Sequence, residues 1–534
     1  MNGTASQGHI PVWHHIGASP PPVAGVDDAG NSAVPVVIVG AGPVGLAMAL
    51  DLGRRGHRVV VLNRLDFIPA GSKAICFSKR SLDIFDRLGV GDAITEKGVV
   101  WNVGKVFRGA ETEPVFQFDM LPVKGQKRPG FVNIQQYHVE EYLWRAVAGL
   151  SNVELRWGHA VTGVRPDADG VELSVDAGGD PYRLRAGWVV ACDGSRSAVR
   201  SLMGLDFDGR VFEDHFLIAD IAMKGDRPAE RWFWFDPPFN PGQSALLHRQ
   251  PDDVWRLDFQ LGWNIDREKA LDPANVTRLV RAMLGDDVVF EPVWTSLYTF
   301  QCRRMRRFLH GRVIFAGDSA HLVSPFGARG CNGGVADIDN LGWKLDLVLK
   351  GLAGPDLLES YDHEAVVTAD ENILNSSRST DFLTPKSAVS TLFRDAVLEL
   401  AGRQPFARPM VNSGRLSTPV SYPHSPLNSP DMQDWHGAGV APGSPAVDMA
   451  LEDGWLLERL GDGFVLMADG WEGPVPDDVR LLPVEAAGAA AQRYGLMPGA
   501  AYLFRPDQYV AARWHRPDAG VVAHACRKAR GFKS

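Results

Sequence analysis

Val36-Val-Ile-Val39 is an unbroken β-branched run, the pattern of a strand buried on both faces. It leads directly into Gly40-Ala-Gly-Pro-Val-Gly45 and the apolar segment Leu46-Ala-Met-Ala-Leu50, which predicts strand, tight turn and helix in immediate succession. A second strand, Arg58-Val-Val-Val-Leu62, follows. Residues 153–173 and 182–190 alternate as strands do, and Trp188-Val-Val-Ala191 ends in the polar turn Cys192-Asp193-Gly194 with a helix start behind it. Between about residues 206 and 300 period-two alternation takes over, in segments 215–221, 231–235 and 255–261. The buried-strand pattern returns in Val313-Ile-Phe-Ala316, which opens onto Gly317-Asp318, a Gly-rich loop and a helix predicted near Gly333.

These patterns predict an α/β fold with a Rossmann-type domain in two parts, residues 34–205 and 301–385, around an inserted strand-rich domain, residues 206–300. A pocket is expected where the two domains meet. Residues 386–432, crowded with Pro and Ser from 403 onward, read as a helical and linker region, and residues 433–534 as a further domain. Residues 1–33 are rich in Gly, Pro, Ala and His and lack an apolar core beside a basic flank, so they read as a mobile leader and not a signal peptide.

Composition narrows the partners. A chain of 534 residues, 45% hydrophobic and 22% charged, has an ordinary globular composition and room for more than one domain. A net charge of −9 gives no reason to expect nucleic acid or an anionic membrane, and no stretch approaches membrane-spanning length. The five cysteines, Cys76, Cys192, Cys302, Cys331 and Cys526, are scattered and form no CxxC pair, which fits reduced thiols in a cytoplasm and argues against a disulfide framework or a metal site.

The first Gly turn has the chemistry of a dinucleotide site. Gly40 permits the turn, Gly42 lets backbone N–H groups approach a pyrophosphate, and Gly45 lets the helix pack on the strand, with Pro43 and Val44 opening that helix and the anion at its N-terminus. The ribose-binding acid expected at the end of the next strand is replaced by Asn63, followed by Arg64. Asn can bond ribose hydroxyls but does not repel a 2′-phosphate.

The order GxGxxG, then Cys192-Asp193-Gly194-x-x-Ser197-x-Val-Arg200, then Gly311-Arg-Val-x-x-Ala-Gly317-Asp318-Ser-Ala-His321, resembles the single-component FAD-dependent aromatic hydroxylases, in particular the phenol and 3-(3-hydroxyphenyl)propionate hydroxylase branch. The resemblance implies FAD, NADH or NADPH as transient reductant, O2 as co-substrate and a small aromatic substrate, with a homodimer compatible with the branch. It implies that Asp318 bonds flavin ribityl or ribose hydroxyls and that Asp193 and Gly194 serve FAD and passing nicotinamide. Ser78, Arg80 and Gln136 match segments beside the flavin, and Pro325, Gly330, Cys331 and Asn332 match the loop and helix start facing its ring. Segments 441–448, 463–467 and 502–513 resemble the thioredoxin-like C-terminal domain of the branch, here without CxxC. Departures are Asn63 where Glu is common, Lys73 where Arg is frequent, and Gly327-Ala-Arg-Gly-Cys-Asn332 in place of GGQGMN.

Reduced flavin activates dioxygen for attack on an electron-rich ring, and the protein must orient and dry the site. Partial deprotonation of a phenol helps, which makes His248 and Tyr298 the candidate catalytic groups and His215, Trp234 and Pro325 candidate pocket residues. Each of these also has a plain core or surface reading. His321 is expected to order the flavin loop, and residues 303–307 to form a solvated basic stretch. A tailoring monooxygenase of a polycyclic aromatic or N-heterocycle would share fold and cofactor, and a non-oxygenating flavin dehydrogenase or oxidase remains a separate class.

Overall fold

The computed structural model describes residues 33–69, 71, 73–119, 123–225, 228–263, 265–324, 327–411 and 419–532. The expected leader therefore lies outside the described residues, apart from its last position. Strand Val34–Val39 is the centre of the first sheet, paired in parallel with Val59–Asn63 on one side and Pro181–Ala191 on the other. Val313–Phe315 adds beyond Pro181–Ala191 and Val153–Trp157 beyond Val59–Asn63, both parallel. Val36, Val37 and Ile38 are fully buried, because helix Pro43–Arg54 covers one face and other elements the opposite one. Removing each such side chain from water is worth about 1.5–3 kcal/mol. The parallel register places the ends of these strands, at Val39, Asn63, Ala191 and Phe315, along one edge of the sheet.

The second sheet has eight strands, in the order His321–Leu322, Glu291–Arg304, Asp208–Ala222, Val254–Gly262, Ser244–Arg249, Arg231–Phe235, Val103–Arg108 and Phe116–Asp119. The sheet reaches beyond residues 206–300. Val103–Arg108 pairs in parallel with Arg231–Phe235, so the sheet borrows strands from the first part of the flavin domain as well as from its return. Those strands were invisible as members of the sheet because pairing is a long-range property that alternation alone does not report. Leu217, Ala219, Leu247, Leu257 and Phe259 on one face pack with Val276, Leu279 and Val280 of helix Pro273–Leu284. Phe216, Phe233, Phe235 and Leu246 on the other face look toward Phe382 of the 27-residue helix Leu357–Leu383, about 40 Å long, and Leu398 of helix Ala388–Arg403.

The C-terminal unit has a four-stranded sheet in the order Val479–Pro483, Phe464–Ala468, Ala501–Phe504, Val510–Trp514, the first pair parallel and the others antiparallel. With helices Gly488–Tyr494 and Ala519–Ala529 this is the thioredoxin-like arrangement, and Cys526, its single cysteine, is a buried filler. Among the described residues all five cysteines are free and no helix is long and apolar enough to cross a membrane.

A buried ionic network docks this unit. Arg505 pairs with Glu364 (2.6 Å) and Asp507 (2.5 Å), all fully buried, and Glu364 also holds Lys344 at 2.6 Å. Burial pulls Lys344 down to about 8, against the pull of Glu364. Substitution Arg505→Ala strands two buried carboxylates and is expected to cost about 3–5 kcal/mol. Urea unfolding of the purified variant checks this, and a loss below about 1 kcal/mol would contradict it.

Candidate active site

The Gly turn folds as its sequence requires. Gly40 has φ +106°, and a Cβ there would meet the Cys192 carbonyl oxygen at 2.4 Å; a Cβ on Gly45 would sit 1.9 Å from the Gly40 oxygen. Gly42 differs, because its Cβ would find only Glu140 Oε1, at 3.9 Å. It caps helix Pro43–Arg54 without any side-chain cap, so the helix N-terminus presents bare N–H groups to open space. Asn63 Oδ1 accepts from the Ala41 N–H (3.1 Å) and its Nδ2 donates to the Leu65 carbonyl (3.0 Å), so this amide braces the turn. Arg64 is exposed beside it.

Two further turns complete this wall. Asp193 accepts from the Val199 N–H through Oδ2 (3.1 Å), while its Oδ1 is buried without a partner, and nothing lies within 4 Å of a Cβ on Gly194. Gly317, at φ +63°, donates its N–H to Asp337 Oδ2 (2.8 Å), and the same oxygen lies 2.7 Å from His321 Nε2. His321 is fully enclosed; burial alone would lower its pKa, but Asp337 outweighs burial and holds it above the ordinary value. It therefore orders the loop. Asp318 reaches open space in a depression walled by protein, makes no hydrogen bond to a described residue, and has its carboxyl raised mainly by desolvation, with His321 and Lys73 opposing. Arg200 donates to the carbonyls of Ser319 and Ser195, both at 2.9 Å, tying the two turns together.

The facing wall is strand Cys76–Ser78 with helix Gly330–Leu349. Asn332 stitches them: Oδ1 accepts from the Ser78 N–H (3.0 Å) and Nδ2 donates to the Cys76 carbonyl (2.9 Å). Helix Gly330–Leu349 also lacks a side-chain cap, and the non-glycine Ala328 ahead of it takes φ +51°, a strained left-handed conformation. Cys331 is half-buried in the first turn with its thiol raised by desolvation, which suits an unreactive filler. Gln136 accepts from the Ala74 N–H (3.0 Å) and donates to Glu140 Oε1 (2.8 Å). Burial raises Glu140 to about 7.

Arg80 and Trp234 point away from the cleft, His215 has a partner within its own sheet, and Pro325 falls outside the described residues. The Arg80 guanidinium does not face the cleft: it is spent on Asp339 (2.5 Å), the Asp507 carbonyl (2.6 Å) and Gln508 (2.7 Å), binding the C-terminal unit. Trp234 stacks on Phe107 at 5.3 Å on the face of the second sheet opposite Phe233 and Phe235, so it does not line the pocket. His215 is engaged with Thr299 Oγ1 at 3.0 Å near a bulge in its strand.

The inner face of the second sheet is ordered in cross-strand rows. Arg231, His248, Arg256 and Asp220 stand opposite one another on successive strands; Phe233, Leu246, Asp258 and Ile218 form the next row, and Phe235, Ser244, Gln260, Phe216 and Tyr298 a third. The first row abuts the flavin domain, since His248 Nδ1 is 3.9 Å from Cys76 Sγ and Arg256 Nη1 donates to the Lys73 carbonyl at 3.5 Å. His248 is buried and pushed well below its ordinary pKa by desolvation, then by Arg231 and Arg256, so it is neutral near pH 7. Tyr298 is half-buried and raised by desolvation with a contribution from Asp318, which keeps its phenol protonated and places it on the side of the Gly317-Asp318 turn. Arg231 and Asp258 were missed because charges on the polar parity of an alternating strand read as solvent-facing. The structure turns that parity onto the cleft.

These residues fit FAD. The Cβ-free space at Gly42 and Gly194, the uncapped helix N-terminus, the orphaned Asp193 oxygen and the unbonded Asp318 carboxylate are the donors and acceptors a dinucleotide's phosphates and hydroxyls require. The fold and the site define an FAD-dependent aromatic monooxygenase. Residues 33–376 match the FAD binding domain family, and the chain belongs to it. It is 30% identical over 448 residues to the 3-(3-hydroxy-phenyl)propionate/3-hydroxycinnamic acid hydroxylase of Mycolicibacterium smegmatis, spanning 82% of this chain and 77% of that protein. It is 28% identical over 502 residues to the 12-dehydrotetracycline 5-monooxygenase/anhydrotetracycline 6-monooxygenase of Streptomyces rimosus, spanning 89% and 94%. The solved flavin-dependent monooxygenase PieE, in complex with FAD and substrate, superposes with a TM-score of 0.79 at 23% identity, covering 94% of this chain and 99% of that one, and shares its fold.

Gly42→Ala is expected to fold normally yet weaken FAD binding by roughly 10-fold or more, because its methyl enters the cradle without a clash, whereas Gly45→Ala collides with backbone and fails to fold. Quenching of FAD fluorescence and thermal melts of the FAD-free protein separate the two. Glu140 supplies a pH test. Its folded pKa, about 7, lies above the ordinary 4.5, so ionising it in the folded state costs stability that is absent at low pH and complete above pH 7. Glu140→Gln should therefore raise the melting temperature of FAD-free protein at pH 8 by a few degrees, with the gain gone by pH 4; an equal gain at both pH values would contradict this.

Proposed function

We propose that the substrate is a phenol held between the flavin cleft and the inner face of the second sheet, hydroxylated at the carbon adjacent to its ring hydroxyl with NADH or NADPH and O2. The observation that carries this reading is the inner face itself, where apolar rows of Phe233, Leu246, Phe235 and Phe216 bracket the polar groups Asp258, His248 and Tyr298. Bound FAD supplies the oxygen-activating redox chemistry. The chain's own residues bind and dry the ring: the Phe rows exclude water, Tyr298 donates from its protonated hydroxyl, and Asp258, raised to about 6 chiefly by burial, accepts a hydrogen bond from the phenol. Asp193, Gly194, Asp318 and the start of helix Gly330–Leu349 hold the cofactor in this reading.

A fused-ring substrate is the second reading. The near end-to-end match to a relative named for tetracycline oxidation supports it, and so does a floor spanning five strands, about 19 Å at the usual spacing.

The test is anaerobic reduction of FAD-loaded protein by NADH or NADPH, followed by flavin absorbance, with a panel of one-ring and fused-ring phenols. Acceleration of 10-fold or more by one phenol supports the proposal and selects between the readings. Equal rates with and without every phenol would overturn it in favour of an ungated oxidase.

A further inference from the structure

The inner face carries two opposite charges that do not meet. Arg231 is half-buried, deep enough for its cation to be disfavoured by desolvation, yet its guanidinium makes no hydrogen bond or ion pair with any described residue. Asp258 is likewise half-buried, with no hydrogen bond or ion pair to a described residue. Its neighbour two residues away shows what pairing looks like on this face, since Arg256 grips Asp220 through two bonds of 2.7 and 2.8 Å. Arg231 has no side-chain partner from the adjoining strand either, because the residue opposite it there is Gly104, whose side-chain space is filled by the Phe118 ring.

Register fixes where the two groups point. Arg231 stands directly opposite His248, which contacts Cys76 of the flavin domain, so the guanidinium lies on the cleft face. Asp258 follows Arg256 by two positions on the same strand and shares that face. Each charge feels the other across the face, yet neither has a bonded partner, and a partly desolvated charge of this kind is best completed by a ligand or water. A neutral imidazole, His248, sits between their strands and cannot neutralise either.

Building on the hydroxylase reading above, we propose that Arg231 and Asp258 form a two-point clamp for an aromatic substrate that carries a carboxylate at one end and a ring hydroxyl at the other, with the carboxylate on Arg231 and the hydroxyl donating to Asp258. A guanidinium matches a carboxylate in planar, two-bond geometry, which a neutral amide cannot reproduce. The clamp sets which end of the substrate enters first and so which ring carbon faces the flavin. Arg231 and Asp258 are specificity-determining contacts.

The experiment uses FAD-loaded protein and pairs of probes: 3-(3-hydroxyphenyl)propionate and 5-hydroxy-2-naphthoate, each with its primary amide and the methyl ether of its ring hydroxyl. Affinity is read from the perturbation of the oxidised flavin spectrum. Wild-type protein should bind at least one acid 10- to 100-fold more tightly than its amide. Arg231→Gln should erase that preference while leaving amide affinity within about 3-fold, and Arg231→Lys should restore part of it. Asp258→Leu, which removes the acceptor, should erase the preference for the free hydroxyl over the methyl ether. Retained acid preference in Arg231→Gln, equal affinity for acid and amide in wild type, or failure of every acid to bind overturns the clamp. Flavin content and reduction by NADH and by NADPH are measured on the same samples, so a failure of the hydroxylase reading shows as flavin that is absent or reduced by neither, whereas a failure of the clamp alone leaves both intact.

Discussion

Val44 is where the two parts of the flavin domain meet, and the closeness of that meeting is the constraint from which the site follows. A Cβ on Gly334 would lie 2.6 Å from a Val44 methyl, and one on Gly317 would lie 3.0 Å from it. Gly40 and Gly45 impose the same demand one step away, against Cys192 and against each other. Glycine at these positions lets the first Gly turn, the Gly317-Asp318 turn and helix Gly330–Leu349 close on one valine, within a core dense enough that an added methyl has nowhere to go. Segments more than 270 residues apart in the chain thereby present their uncapped N–H groups, together with the unpartnered Asp193 Oδ1 and the Asp318 carboxylate, to one cleft.

Around that contact, stability rests on buried ion pairs as well as on apolar packing. Asp51 takes Arg55 and Arg87, Asp339 takes Arg87 and Arg80, and Arg80 reaches the Asp507 carbonyl beside Arg505 and Glu364. The series runs from the first helix of the flavin domain into the C-terminal unit. Such pairs add little net stability compared with apolar replacements, but breaking one leaves an uncompensated charge, so they specify a single docking geometry. The residue expected beside the cofactor, Arg80, proves to be one of the ties to the thioredoxin-like unit.

The flavin domain was legible in the sequence because its demands are local: a β-branched run, a glycine at each close approach and a helix start lie within a few residues of one another. Gly40, Gly42, Gly45 and Gly317-Asp318 could be read that way. The substrate side could not, because its meaning is set by pairing. The polar positions 256, 258 and 260 of an alternating strand look solvated until a second domain covers them, and Trp234 looks like a pocket wall until the register puts Phe233 and Phe235 on the cleft face instead. His248 was found as a residue, but its neutrality, caused by two arginines from neighbouring strands, is a tertiary fact.

Oxygen-18 labelling tests the monooxygenase reaction most directly. FAD-loaded protein, NADPH or NADH and the phenol that most accelerates flavin reduction are incubated under oxygen-18 gas, and the product is analysed by mass spectrometry. The expected product carries one labelled oxygen atom per molecule, on the carbon beside the original hydroxyl. Reductant consumption matched by hydrogen peroxide, with unlabelled and unchanged phenol for every compound that stimulates reduction, would contradict it.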